Sequence, residues 1–389
     1  MPACTFQREI SGRTISLQLD YAPGHAFYWE HIRLKYVCRA CEGQIQIAEA
    51  PEYPIDRGMP APGMLSYIAT SKYADHLPLH RLEGILSRQG LVLSRSTMCD
   101  WMKATAKILL PLFEYLIERI KYSKVIWTDD TPVRVMDKAL KKRCRTGRIW
   151  VYRGDAANPY VLFRFTASRR RDGPLEHLEN FKGFLQADAF AGYDCLFVGG
   201  GVTEVACFAH ARRKFEHCLQ DAPVSAGKVL LLIQQLYKVE SDFKSATSEQ
   251  RLEARQRLSM PILDELRAEL DSQLLISLPR SDFGKAVKYA DNQWNALKVF
   301  VTDGDLTIDN NLAENAVRPI ALGRKNWMFL GHESGGKTIA VLSTLIASCR
   351  RHHVNPYAYL KTVIRRLTED SSADQAALMP DVVELDATN

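Results

Sequence analysis

The order of apolar and polar residues divides the chain into segments of different periodicity. Residues 5 to 50 alternate between apolar and polar positions in short runs, which predicts a small β-rich module. Residues 51 to 62 are rich in proline and indicate a linker. Apolar positions recur at helical spacing from residue 63 to 122, and from residue 124 they form short runs typical of buried strands.

The helical segment contains a pattern found in DNA-binding proteins. HRLEGILSRQGLVLSRSTMCDWM predicts a helix, a turn through Gly90, a cap at Ser94 or Ser96 and a second helix. This is the layout of a helix-turn-helix. Two packed helices without any role in DNA binding explain the same pattern, so both interpretations stay open.

Strand patterns cluster between residues 124 and 190. KVIWTDD, RIWVYRG, YVLFRFT and GFLQADAF each predict a strand, and WMFL near residue 327 predicts a later one. Residues 227 to 300 are almost continuously helical in pattern. The order predicts a mixed α/β domain interrupted by an all-helical insertion. Near the end of the chain, HHVNP predicts a helix that Asn355 caps and Pro356 begins.

Composition narrows the class of protein. The 389 residues suffice for two or three domains, and 46% hydrophobic with 25% charged residues is typical of a soluble globular chain. The net charge of +6 permits a polyanionic partner without requiring one. Nine mostly scattered cysteines, no signal pattern and no apolar run of about 18 residues predict a cytoplasmic protein without a membrane partner.

Three acidic positions indicate a metal site. Asp129 and Asp188 each end an apolar strand pattern, and Glu314 lies in a short predicted helix, IDNNLAENAVRPI. Carboxylates that meet at one edge of a sheet suit Mg²⁺ or Mn²⁺, and two such ions can stabilise the attacking and leaving oxygens of a phosphoryl transfer. The alternative is that these acids are solvated residues or helix caps, with Glu314 in a surface ion pair with Arg318.

Basic residues recur around these acids. The runs KALKKRCRTGR, RRR, RRK and RRHH begin at residues 138, 169, 212 and 350. Basic side chains near tryptophans suit contacts with nucleic-acid phosphates, whereas each run alone is typical of a solvated face.

The only C-x-x-C pair of the sequence joins Cys38 and Cys41. A structural zinc site needs four ligands, and this pair supplies two. Cys4 and His31 are the other upstream candidates, so the sequence predicts a Zn²⁺ site only in part.

GHESGGKT, residues 331 to 338, fits the pattern G-x-x-x-x-G-K-[ST]. That pattern is typical of a loop that binds the phosphates of ATP or GTP. Such a loop normally precedes several strands and a metal-holding Asp, whereas helix and tail are predicted after Thr338. We therefore expect a glycine-rich turn here and keep a P-loop ATPase as a distant alternative.

Several motifs together resemble the transposases of the insertion sequence 66 family. WTDDTPVRV, LQADAFAGYD, CFAHARRKF and DNNLAENAVRPIALGRKNWMFLG lie in the predicted α/β region, SKYADHLPLHR and SRSTMCDWM lie in the helical segment, and KYVCRACEG contains the cysteine pair. The resemblance covers residues 25 to 365.

The resemblance implies a D-D-E transposase with a ribonuclease-H-like core that cleaves and joins DNA strands. It assigns the catalytic acids to Asp129, Asp188 and Glu314 as ligands of two Mg²⁺ or Mn²⁺ ions, with Asp130 as a neighbour. The implied partners are double-stranded DNA at the element ends and target, further copies of the chain on DNA, and accessory proteins of the element in a bacterial, nucleoid-associated setting. The predicted contacts with DNA phosphates are Arg324, Lys325, Arg212, Arg213, Lys141 and Lys142.

The resemblance also divides the chain into domains. The predicted units are a partial zinc-binding-like module at 1–50, a linker at 51–62, a helix-turn-helix-like DNA-binding segment at 63–122, a catalytic domain at 123–345 with a helical insertion at about 220–298, C-terminal helices at 346–368 and a disordered tail at 369–389. The family's longer N-terminus and first C-x-x-C have no match here, which suggests an N-terminally short copy. A remnant that binds DNA or a partner without completing transposition is therefore the alternative function.

Overall fold

A computed structural model of the chain describes residues 18–19, 24–37, 45–56, 58–137, 139 and 144–386. The two predicted zinc ligands, Cys38 and Cys41, and two predicted DNA contacts, Lys141 and Lys142, lie outside the described residues. Their roles therefore stay predictions.

The described residues contain a two-stranded ladder and a five-stranded mixed sheet. The ladder is β1 (Lys35–Tyr36) with β2 (Gln46–Ile47), and the sheet consists of β3 (Val125–Met136), β4 (Cys144–Arg153), β5 (Val161–Thr166), β6 (Gly183–Gln186) and β7 (Val202–Val205). The strand order is β5-β4-β3-β6-β7. Strands β3, β4 and β5 are antiparallel neighbours, whereas β6 and β7 run parallel to β3. The predicted α/β class is confirmed, and β7 is a strand that the sequence patterns did not predict.

Helices surround this sheet. They are α1 (Pro62–Tyr73), α2 (Leu79–Arg88), α3 (Arg95–Ile108), α4 (Leu110–Ile120), α5 (Asp172–Leu178), α6 (Asp194–Phe197), α7 (Phe208–His217), α8 (Pro223–Asp242), α9 (Ser248–Ala254), α10 (Met260–Ile276), α11 (Asp282–Asn292), α12 (Trp294–Leu297), α13 (Asn311–Trp327), α14 (Glu333–Arg351) and α15 (Pro356–Glu369). Within the residues described, no helix is both long and apolar enough to span a membrane.

Sequence signals for helix boundaries agree with the structure at two places. The Ser94 side chain caps α3 by accepting a hydrogen bond from the Thr97 N–H, and Gly90 occupies the left-handed region in the turn before it. The Asn355 side chain caps α15, whose first residue is Pro356. Helices α2 and α3 thus have the predicted helix–turn–helix connectivity, while their role in DNA binding stays a prediction.

The helices α8 to α12 lie between β7 and α13 in the chain, where the sequence predicts a helical insertion. A π-helical turn, Arg255–Ser259, connects α9 with α10. The buried Arg255 guanidinium pairs with both carboxylate oxygens of Glu240, at 2.8 and 2.6 Å, and also donates to three backbone carbonyls in the segment that leads to α13. Breaking a buried, fully hydrogen-bonded ion pair is strongly destabilising. Arg255 therefore anchors the helical insertion to the segment that precedes α13.

Helix α14 covers β5, an edge strand of the sheet. The Val161 N–H donates to the Ser348 hydroxyl at 3.2 Å, and the Phe163 N–H donates to Thr344 Oγ1 at 2.8 Å. These buried hydroxyls satisfy the outward N–H groups that an edge strand otherwise leaves unpaired. The helix lies so close that a Cβ on Gly336 would stand 2.4 Å from the Phe165 ring.

Two local predictions near residue 330 are wrong. WMFL is not a strand: α13 extends to Trp327, Met328 adopts a positive φ of 60°, and only Leu330 bridges β3, opposite Val135. GHESGGKT is not a glycine-rich turn, because residues 333 to 338 form the first turns of α14. A phosphate-binding loop therefore has no counterpart at this motif.

The segment after α15 also differs from its prediction. Residues 370–386 pack against the body of the protein rather than forming a disordered tail, with Met379 only 1% exposed. The Tyr160 hydroxyl donates to Asp381 at 2.8 Å, and Arg365 pairs with Asp386 at 2.8 Å. The acidic composition of this segment reflects pairing with basic and polar partners, not solvation alone.

Candidate functional site

The two adjacent acids of β3 point to opposite faces of the sheet, because side chains alternate along a strand. Asp129 shares the face that α13 covers. Asp130 points to the other face, where its side chain is 3% exposed and Arg148 Nη1 donates to it at 2.8 Å. The Asp130 N–H in turn donates to Asp129 Oδ1 at 2.8 Å. Asp129 is therefore the member of the pair on the same face as Thr131, which contacts Arg324 of α13.

Asp188 lies just beyond the end of β6, the strand next to β3 in the sheet. Gln186 at the end of β6 is in register with Trp127 of β3. Asp129 lies two residues beyond that pair within β3, and Asp188 lies two residues beyond it after the end of β6, near enough for its charge to raise the pKa of Asp129.

Buried hydrogen bonds join the sheet to the segment that begins α13, the helix that carries Glu314. The Gln186 Nε2 group, which is fully buried, donates to the carbonyls of Thr307 and Asp309 at 2.6 and 3.0 Å. Asn310, also fully buried, donates from Nδ2 to the Thr128 carbonyl at 2.8 Å. These bonds hold the start of α13 against β3 and β6.

Glu314 lies in the first turn of α13, where a negative charge interacts favourably with the helix dipole. His210 of α7 approaches it, with Nε2 at 3.9 Å from Glu314 Oε1. The other ring nitrogen, Nδ1, is buried without a hydrogen-bond partner among the described residues. His210 is thus a titratable neighbour of Glu314.

The Asp129 carboxyl lies near enough to three other acids for their negative charges to act on it. Burial raises the pKa of the Asp129 carboxyl from 3.8 to about 7, against the effect of the Asp130 N–H, which lowers it. The negative charges of Asp188, Asp130 and Glu314 also raise this pKa. Carboxylates that disfavour each other's ionised form in this way favour a bound cation.

Arg169 supplies positive charge at this edge in the structure. Its guanidinium donates to Asp130 Oδ1 from Nε at 2.9 Å and to Asp188 Oδ2 from Nη2 at 3.2 Å. It also stacks over the Phe190 ring at 4.2 Å, a distance typical of a cation–π contact. Arg169 therefore bridges one acid of the candidate site and its buried neighbour.

The donor set fits a hard divalent cation in chemistry, because all three acids offer carboxylate oxygens. In the part of the chain that the structure describes, no three His, Cys, Asp or Glu side chains are close enough together to enclose a metal ion. Asp188 is held by Arg169 and Glu314 lies next to His210. A cation that used the oxygens of Asp188 would therefore compete with the Arg169 guanidinium.

The predicted DNA contacts occupy different environments. Arg324 ties α13 to β3, since its Nη1 donates to Thr131 Oγ1 at 2.7 Å and to the Pro132 carbonyl. Lys325 is exposed on the same helix. Arg212 and Arg213 are exposed on α7, and Arg212 pairs with Glu216 at 2.9 Å.

Sequence reasoning missed three residues of this site. In the sequence, Arg169 stands out only as part of a basic run, and His210 only within the motif CFAHARRKF. Gln186 carries one signal, since a polar residue that ends an apolar strand indicates a buried hydrogen-bond role. The contacts of all three involve elements distant in sequence, which no local pattern reveals.

Comparison with known proteins identifies relatives across most of the chain. The family described as "Transposase IS66 family" matches residues 57–338, and the "IS66 C-terminal element" matches residues 344–380. Three uncharacterized proteins of Sinorhizobium fredii (strain NBRC 101917 / NGR234) are similar. The protein y4jD is 33% identical over 375 residues, covering 93% of this chain and 73% of the relative. The protein y4qI is 32% identical over 389 residues (96% and 72%), and y4hP is 29% identical over 394 residues (95% and 70%).

The first family match contains β3 to β7 and α13, and hence all three candidate acids. With both matches following one another along the sequence, the chain belongs to the IS66 family of transposases.

Proposed function

We propose that this protein is an insertion-sequence transposase that cleaves and joins DNA strands at the ends of its element, with Asp129, Asp188 and Glu314 as its catalytic acids. The observation that supports the proposal is that Asp188, after β6, and Glu314, on α13, both act electrostatically on Asp129 of β3 and raise its pKa. The strand order, with an antiparallel β3–β4–β5 unit followed by parallel β6 and β7, supports a ribonuclease-H-like core.

The three carboxylates are proposed to hold Mg²⁺ or Mn²⁺. When bound, such ions lower the barrier to phosphoryl transfer by neutralising charge on the attacking and leaving oxygens. The protein contributes the position of its acids: the hydrogen bonds of Gln186 and Asn310 hold α13 so that Glu314 remains beside β3. Asp130 lies on the opposite face, paired with Arg148 and Arg169, and serves as a neighbour that fixes those arginines.

Positive side chains near this edge are proposed to bind DNA phosphates. Lys325 is exposed on α13, the helix that carries Glu314, and Arg212 and Arg213 are exposed on α7, the helix that carries His210. Arg169 is held only by the two carboxylates and the Phe190 ring, so a scissile phosphate could replace Asp188 as its partner once cations occupy the acids.

The test is Glu314→Gln, assayed with DNA that carries the element ends. We expect loss of Mg²⁺-dependent strand cleavage, by about 100-fold or more since a charged ligand is removed, with DNA binding retained in a gel-shift assay. Glu118→Gln is the matched control, because Glu118 lies on α4 in a surface pair with Lys121. Unchanged cleavage by the Glu314 variant would remove the assignment. Binding without cleavage by the unaltered protein would instead support the DNA-binding remnant.

A further inference from the structure

A cavity of about 310 Å³ lies next to the candidate site, between the sheet and helices α13 and α14. Asn315, which directly follows Glu314, is one of its lining residues. The apolar part of its wall includes Phe163 of β5, Pro319 of α13 and Ile346 of α14. We call this space the arginine cavity, because Arg153, Arg350 and Arg351 also line it.

The three arginines lack carboxylate partners among the described residues. Arg350 Nη2 donates to the Ala74 carbonyl at 2.7 Å, and Arg351 Nη2 donates to the Asp155 carbonyl at 2.7 Å. Arg153 at the end of β4 has a buried Nε without any hydrogen-bond partner in the described chain. Backbone carbonyls satisfy single N–H groups, but they do not neutralise a cluster of cations.

The charges in this cluster oppose one another. Burial, together with the charge of Arg153, lowers the pKa of the Arg351 guanidinium to about 10, against the nearby Asp155. Burial also lowers the pKa of Arg153. Arg153 and Arg351 are half-buried, whereas Arg350 is exposed, and half-buried like charges are costly unless an opposite charge neutralises them. The charge of this cavity is therefore complementary to an anion.

The cavity is larger than a simple anion needs. It has room for about ten water molecules, and its volume falls in the lower range of small-molecule sites. Guanidinium groups match phosphate oxygens in geometry, and the apolar wall offers a surface for a base or sugar. We propose that the arginine cavity binds a nucleoside phosphate, with the phosphate at Arg153, Arg350 and Arg351 and the nucleoside against the apolar wall.

Two sources could supply this chemistry, a free nucleotide or one nucleotide of a DNA strand. The position beside Glu314 favours a strand that passes the acid cluster. The choice of a DNA strand as the source rests on the proposed function, whereas the binding of a nucleoside phosphate in the arginine cavity does not depend on it.

The experiment measures ligand binding to the full chain carrying Glu314→Gln, which prevents DNA cleavage from complicating the readout. The probes are dAMP, deoxyadenosine, inorganic phosphate and a single-stranded oligonucleotide. Their binding is measured by calorimetry and fluorescence anisotropy. The test variant adds Arg153→Met. Because Arg153 has no hydrogen-bond partner here, removing it should leave the melting temperature unchanged or raise it. Arg350→Gln is a second test variant should the first fail to fold.

Arg164→Met is the matched control. Arg164 lies on the same strand as Phe163 but on the opposite face, where it pairs with Glu176 at 3.5 Å. We expect dAMP or the oligonucleotide to bind about tenfold more weakly to the Arg153 variant, since a charge-assisted hydrogen bond is lost, and equally well to the control. Deoxyadenosine should not bind.

The results distinguish a free nucleotide from a DNA strand as the ligand, and they test the cavity independently of the proposed transposase activity. Arg153-dependent binding of dAMP supports a free nucleotide, and Arg153-dependent binding of the oligonucleotide alone supports a DNA strand. Inorganic phosphate that binds as tightly as dAMP overturns the nucleoside assignment in favour of a simple anion site. Equal effects of the test and control variants overturn the site altogether. Cleavage by the protein with native Glu314 is measured separately, so failure here is distinguishable from failure of the transposase proposal.

Discussion

The adjacent acids of β3 predict opposite effects of the same substitution. In metal-free buffer, Asp129→Asn should stabilise the protein, whereas Asp130→Asn should destabilise it. As pH rises past its raised pKa of about 7, Asp129 ionises against burial and the charges of Asp188 and Glu314. Asp130 is instead paired with Arg148 and Arg169. The Asn side chain is nearly isosteric and its oxygen can still accept the hydrogen bond that Asp129 now accepts from the next N–H.

The size of the Asp129 effect follows from its pKa. A carboxyl whose pKa rises from 3.8 when unfolded to about 7 when folded binds more protons in the folded state between these values. Stability therefore falls as pH rises through this window. The loss grows from about 0.5 kcal/mol at pH 4 to a ceiling of about 4 kcal/mol at pH 8, and Asp129→Asn should recover it.

The Asp130 effect has the other sign and a different cause. Removing the charge leaves two guanidinium groups facing a 3% exposed side chain that no longer neutralises them. Breaking a fully buried pair costs about 3–5 kcal/mol. Arg148 and Arg169 are 23% and 36% exposed, so water compensates in part and we expect about 2 kcal/mol.

Urea unfolding followed by circular dichroism, in a chelating buffer at pH 5 and pH 8, measures both effects. The free energy of unfolding of the Asp129 variant should exceed that of the unaltered protein by more at pH 8 than at pH 5. Added Mg²⁺ should then stabilise the unaltered protein and have little effect on the variant. A variant at Asp129 that is less stable at pH 8 would refute the reasoning, because Asp129 would then be a satisfied structural charge.

Three further substitutions test single features. Arg169→Met should lower the Mg²⁺ concentration that gives half of the maximal thermal stabilisation, because Asp188 loses its competing cation. Arg255→Met should reduce the free energy of urea unfolding by about 3–5 kcal/mol, since a buried charge network is lost. Gly336→Ala should reduce it by about 1–3 kcal/mol through the clash with Phe165, whereas Gly335→Ala, with no neighbour closer than 3.9 Å, should be neutral or stabilising.

Each of these has an outcome that contradicts it. A higher Mg²⁺ requirement after Arg169→Met would mean that the guanidinium helps to assemble the acids instead of competing for them. An Arg255 variant with native stability would show that the insertion is not anchored there. If the two glycine variants were equally stable, the close approach of α14 to β5 would not explain why residue 336 is a glycine.

Much of the fold follows from local patterns in the sequence. The apolar runs before Asp129 and Asp188 predict buried strands, and both strands form; Asp188 follows the end of β6, whereas β3 continues seven residues past Asp129, so the prediction that Asp129 ends its strand is wrong. The Asn355–Pro356 start of α15 follows from capping chemistry alone. The identities of the acids came from the family resemblance, and their catalytic role stays a prediction.

The errors near residue 330 have tertiary causes. A Gly-Gly pair in GHESGGKT weakens a helix locally, yet α14 continues through it because Gly336 lets the helix approach Phe165. WMFL has a strand composition, but Trp327 completes α13, with its Nε1 3.0 Å from the Cβ position of Gly323. In the first case packing between distant elements overrides local propensity, and in the second the helix itself continues through a segment of strand composition.

The contrast within β3 bears on which acid serves a function. A residue that contributes only to stability is expected to be paired, and Asp130 meets that expectation with two arginines. Asp129, one position earlier, is left with a raised pKa and acidic neighbours, an arrangement that lowers stability unless a cation is bound. Strong pKa perturbation by burial and like charges is characteristic of functional sites. The arginine cavity shows the same imbalance with the opposite sign, because its arginines have no carboxylate partner among the described residues. If both proposals hold, a DNA strand with its bound cations would carry both of the missing charges.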